Sequence, residues 1–123
     1  VYKHPDIYVH HGYLPYETIL PSLSLVVFTG SLCLQLLCLY QKVPMLFYPV
    51  TNEQYFWAKN YKHFTKIPYI DFLIMQKKTI REQMEHSIKC ILRSPTLSLY
   101  LQNVSTDIKK RNPHILLQKI KNM

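Results

Sequence analysis

Leu25 to Ala58 reads LVVFTGSLCLQLLCLYQKVPMLFYPVTNEQYFWA and sets the order of the central elements. Leu25 to Phe28 is a short run of apolar, β-branched and aromatic residues, the composition of a strand buried on both faces. Thr29-Gly30-Ser31 is a turn. The apolar run that follows, Leu32 to Gln41, is too long for one strand and is stopped at Lys42-Val43-Pro44. Met45 to Tyr48 is a second buried strand, closed by Pro49. Thr51-Asn52 is a polar turn, and Glu53-Gln54 open a further helix. Strand, turn, helix, strand, turn, helix is a βαβα unit, whose parallel strands present ligands at their C-terminal ends.

The neighbouring segments extend this unit. Ile7-Tyr8-Val9 is a candidate short strand ending at Gly12, and Glu17 to Leu20 a single helical turn stopped by Pro21. Lys66 to Met75 contains Pro68 and the alternation Ile70, Phe72, Ile74, which predicts an edge strand. Three helices follow within residues 79–123. Thr79-x-x-Glu82 reads as a capping box ahead of the stripe Ile80, Met84, Ile88, Ile91. Ser94-Pro95 is an N-cap followed by proline, ahead of Leu97, Leu101, Val104 and Ile108. Asn112-Pro113 repeats that signal before Leu116 and Ile120. The chain of 123 residues is therefore read as one domain. Its expected class is α/β: a Rossmann-like, mainly parallel sheet with helices on both faces, closed by C-terminal helices.

Composition narrows the function classes. Thirteen of the fifteen Lys and Arg lie from Lys59 onward, while the formal net charge of the whole chain is +8. A basic half suits nucleic acid, an anionic membrane surface or a phosphorylated ligand, but the charges recur at helical spacing, which favours solvated helix faces. No aromatic-basic motif supports nucleic-acid binding. Cys33, Cys38 and Cys90 follow no metal-ligand spacing and read as small apolar residues with reduced thiols. The six histidines show no zinc spacing, and two glycines, Gly12 and Gly30, exclude a glycine-rich phosphate cradle. No nucleophile–base arrangement is present, so no catalytic residue and no metal ligand is assigned. No charge falls between Glu17 and Lys42, a length that could cross a bilayer. Pro21, Gly30 and Gln35 within it fit strand, turn and helix instead, and a membrane-surface contact stays open.

The same stretch resembles the donor-binding segment of the UDP-glycosyltransferase family. In that family a buried strand ends in Thr-His-Gly-Gly or a variant; a helix carrying a Glu, then Gly-Val-Pro, a strand, Pro, and an Asp-Gln or Glu-Gln pair follow. Val43-Pro44, Pro49, Glu53-Gln54 and the small Ala58 stand at the family's spacing. Tyr13-Leu14-Pro15 stands where the family has Trp-x-Pro, Ile19-Leu20-Pro21 where it often has Leu-Leu-Pro, and Ile91 to Pro95 resembles its last loop before the closing helices. The resemblance implies the C-terminal half of a GT-B fold, with the acceptor-binding half, and its base, before residue 1. It implies a UDP-sugar as donor substrate: Tyr13 against the base, Thr29, Gly30 and Ser31 at the diphosphate, Glu53 and Gln54 at the sugar hydroxyls. No cofactor is implied. The departures are specific. Thr29 replaces the phosphate-binding His, Ser31 the second Gly, and Leu37 the Glu that would hold the ribose.

A second expectation starts from those departures: a non-catalytic relative acting as an interaction module. The helix 32–40 is apolar on all sides except at Gln35, so it is expected to be buried all round. Its partner would be an acceptor-binding domain, another subunit or a membrane, unless the C-terminal helices cover it. The compartment, cytoplasm or secretory lumen, is left open.

Overall fold

The structure is a computed structural model and describes residues 4–71 and 79–110. Among them the chain is mixed α/β: a two-stranded parallel sheet and five α-helices. β1 (Val26–Phe28) pairs with β2 (Met45–Phe47) in parallel, with Val26 opposite Met45 and Phe28 opposite Phe47. The crossover is α2 (Leu32–Gln41), and β2 leads into α3 (Asn52–Thr65). α1 (Tyr16–Ile19) and a short 3₁₀ turn (Leu20–Ser22) precede the sheet; α4 (Ile80–Arg93) and α5 (Pro95–Lys110) follow it.

The start and stop signals act as their chemistry requires. Lys42 ends α2 in a left-handed conformation (φ 61°), just before Pro44, which cannot continue a helix. The Thr79 hydroxyl accepts from the Glu82 N–H at 3.1 Å, and the Ser94 hydroxyl from the Leu97 N–H at 3.0 Å, each satisfying an orphan donor of a first turn. β2 is buried at all three residues. A chain of rings runs from it through the core: Phe28 to Phe47 at 4.9 Å, Phe47 to Tyr61 at 5.2 Å, Tyr61 to Tyr100 at 6.1 Å. Leu20, Leu37, Cys38, Val43, Met45 and Leu101 fill the spaces around it. The Tyr61 hydroxyl accepts the Met45 N–H at 3.2 Å, tying α3 to β2.

Four expectations change. Ile7 to Val9 is no strand: the pairing found there is an isolated bridge between His4 and Ile7, and all three residues are exposed. β1 is not buried on both faces, because Val27 is 45% exposed. α2 is not buried all round either. Leu32 at its first turn is exposed, while Gln35, the one polar residue of the apolar stretch, is buried. The Gln35 amide donates to the Gly30 carbonyl at 2.9 Å, so the polar position faces inward to satisfy the turn. α5 covers part of α2, and the Ser105 hydroxyl donates to the Tyr40 carbonyl at 2.9 Å. Finally, Lys66 to Asp71 is not a ladder strand; a single bond, Ile70 N–H to Phe47 O at 2.9 Å, lays it beside β2. The rest of that predicted strand, 72–75, and the helix signalled by Asn112-Pro113 lie outside the described residues.

α4 packs in a way its hydrophobic stripe does not show. Ile80, Met84, Ile88 and Ile91 are half-buried, and the buried positions are Gln83 and Ser87. Gln83 accepts from the Asp71 N–H at 2.7 Å and donates to the Asp71 carbonyl at 3.1 Å; the Ser87 hydroxyl donates to the Pro68 carbonyl at 3.0 Å. The 66–71 segment has no ladder partner on this side among the described residues, so α4 side chains take its backbone groups. No helix of the described residues is long and apolar enough to cross a membrane.

Candidate functional site

Parallel pairing with α2 as crossover puts the turn after β1 and the start of α3 at the same edge of the sheet. Gly30 sits in this turn at φ 119°, a region that favours glycine. A Cβ on it would lie 3.2 Å from Phe47 Cδ2 and 3.5 Å from the Cβ of Gln54. The turn and the first turn of α3 are thus in van der Waals reach. Beside them, at the C-terminal ends of both strands, is an open hollow of about 330 Å³, walled by Val27, Phe28, Thr29 and Tyr48.

The six expected site residues separate into groups here. Thr29 lines the hollow and is exposed. Gly30 is buried next to it, and its carbonyl is held by Gln35. Ser31 occupies the N-cap position of α2, but its hydroxyl makes no capping bond. Glu53 is exposed on the first turn of α3. Gln54 is occupied: its side-chain oxygen accepts from the Val50 N–H at 2.9 Å and the Thr51 N–H at 3.1 Å, while the Thr51 hydroxyl accepts from the Gln54 N–H at 3.3 Å. That is a reciprocal capping box. Its signal is Thr-x-x-Gln at residues 51–54, of which the polar turn Thr51-Asn52 is only the first half. Tyr13 is 84% exposed, and the hollow's walls do not include it.

Among the described residues no cation lines the hollow. What the arrangement offers an anion is the N-terminal end of α2 and the Thr29 hydroxyl. The Cys38 thiol, on the buried side of α2, is pushed by burial from 9.0 up to about 12 and is no nucleophile at neutral pH. Among the described residues no three His, Cys, Asp or Glu gather where a metal ion could be held.

A further concave region was not legible as a site. Lys59, Lys62, His63 and Lys66 surround Tyr69 along α3. The three lysines recur at helical spacing in the sequence, but nothing there places Tyr69 among them. No protein-family model, curated protein or solved structure matches the chain.

Proposed function

We propose that the chain is the nucleotide-sugar-binding half of a UDP-glycosyltransferase-like protein. The observation that supports this is the β1–α2–β2–α3 unit with its Thr29-Gly30-Ser31 turn packed against the first turn of α3 at the strand ends. On this reading the diphosphate meets Thr29, Ser31 and the N-terminal end of α2, and the base stacks on Tyr13. Glu53 accepts from the sugar hydroxyls. Gln54 contributes through the cap that orients Glu53, since its oxygen is already engaged. Transfer itself needs a base that deprotonates the acceptor hydroxyl, which the resemblance assigns to a separate acceptor-binding domain. The chain alone is not expected to turn over.

Calorimetric titration with UDP and with UDP-sugars tests the reading. Saturable binding of both is expected, with Glu53→Ala weakening the UDP-sugar about tenfold and leaving UDP within about twofold, a tenfold loss being about 1.4 kcal/mol. A folded sample that binds neither at millimolar ligand overturns it.

The second reading is a non-catalytic relative that serves as an interaction module. Two observations favour it: among the described residues no cation lines the strand-end hollow, and α2 keeps Leu32 exposed beside half-buried Cys33, Leu34 and Leu36. It predicts concentration-dependent self-association in sedimentation, weakened by Leu32→Glu, and no nucleotide binding.

A further inference from the structure

α3 turns one face to solvent, and Lys59, Lys62 and His63 follow one another on it at three- and four-residue spacing, with Lys66 at its end. That spacing holds them on one side of the helix. The chain then turns back and brings Tyr69 against this face. The Lys62 ammonium lies 5.7 Å from the Tyr69 ring centroid, and the Tyr55 ring meets Tyr69 edge-on at 6.0 Å. Three hollows open around Tyr69. One of about 460 Å³ is walled by the three lysines and His63. A second, of about 480 Å³, adds Tyr55 and Phe56. A third, of about 160 Å³, continues to Gln83 and His86 of α4. The first shares Lys59 and Tyr69 with the second and Lys62 and Tyr69 with the third, so the three adjoin in a groove along α3.

The charge in this groove is only partly offset locally: among the described residues its carboxylate is Asp71, which accepts from the Tyr55 hydroxyl and sets one negative charge against three lysines. No carboxylate among the described residues comes within ion-pair distance of Lys59, Lys62 or Lys66. Compensation of the helix dipole accounts for part of the row, because the Lys66 ammonium donates to the His63 carbonyl at 3.0 Å. It does not account for Lys59, which lies in the middle of α3. Nor does it account for Phe56, a large ring left 63% exposed in the same groove.

Cations in a row with rings beside them match a strand whose phosphates are spaced by sugars, each carrying a base. Flat rings stack on unpaired bases, and ammonium groups meet phosphates without regard to sequence. A duplex hides its base faces and offers the rings nothing to stack on. α3 is about 21 Å long, room for a short run of nucleotides. We infer that this groove binds single-stranded nucleic acid, with Lys59, Lys62 and Lys66 on phosphates and Phe56 and Tyr69 against bases. The groove shares no residue with the strand-end hollow, so the inference stands or falls apart from the nucleotide-sugar reading.

The test is fluorescence anisotropy of a labelled oligouridylate titrated with the whole chain from about 50 to about 300 mM salt. Three phosphate contacts give a slope of log K against log salt of about −2, and Lys59→Ala or Lys62→Ala each make it shallower by about 0.7. Phe56→Ala weakens binding about fivefold or more with the slope unchanged. Lys110→Ala, which lines none of the three hollows, alters neither. Circular dichroism checks that each variant is folded. Absence of binding by the folded chain at the lowest salt overturns the inference. So does an equal loss from Lys110→Ala, which would mean diffuse charge, or a preference for duplex. Binding to phosphatidylserine vesicles in place of the oligonucleotide would overturn it in favour of a membrane surface.

Discussion

Gly30 holds the turn on which the strand-end arrangement depends. Its φ of 119° and the 3.2 Å approach of Phe47 to any added Cβ act in the same direction. Gly30→Ala is expected to cost about 2 kcal/mol, read as a lower midpoint in urea unfolding with an unchanged slope. A midpoint equal to the parent's would show that Phe47 and the turn relax freely. Gln35 supports the same turn from the helix side, and its burial explains why an amide stands in an otherwise apolar helix. Gly30 was legible from sequence as the residue a strand-to-helix turn needs. Gln35 was not, because periodicity reports which positions are apolar and cannot tell which unpaired carbonyl a polar one will reach.

At the scale of elements, α3 shows how one sequence signal carries two meanings. Glu53 and Gln54 stand together in the sequence as a candidate sugar-binding pair, and the structure divides them. Gln54→Ala frees the Val50 and Thr51 N–H groups and is expected to cost about 1 kcal/mol. Glu53→Ala, on an exposed first turn, should stay within about 0.5 kcal/mol. Thermal unfolding of the two variants side by side checks this, and equal losses would refute the capping role. The strand β2 was legible because a buried parallel strand is a continuous apolar run. β1 has the same composition yet leaves Val27 open, since what covers a strand depends on which elements return to it. α4 makes the same point: its stripe is apolar, but Gln83 and Ser87 are its most buried positions.

For the whole molecule, buried acids tie stability to alkaline pH. Burial raises the Cys38 thiol from 9.0 to about 12, and burial likewise raises the Tyr61 hydroxyl above 10.0. Both groups resist ionisation when folded, so the unfolded chain loses their protons first. Their contribution is fully present below about pH 9 and is lost as pH rises from about 9 towards 12. The melting temperature should therefore fall steadily between about pH 9 and about pH 11, and Cys38 should react with thiol reagents only after unfolding. A flat profile across that interval would contradict the burial of both groups.

Local grammar was readable from the residues alone. The turn at Gly30, the strand stop at Pro49, helix starts at Thr79 and Ser94, and the order strand, helix, strand, helix follow from backbone sterics, capping and periodicity, all of which act over a few residues. Tertiary structure alone decided which faces were covered. It set Gln35 against Gly30, brought Tyr69 back against the lysines of α3, and turned Gln83 and Ser87 toward the 66–71 backbone. Those contacts depend on which polar groups remain unpaired once the helices have docked, and most of them join segments that periodicity and capping cannot relate.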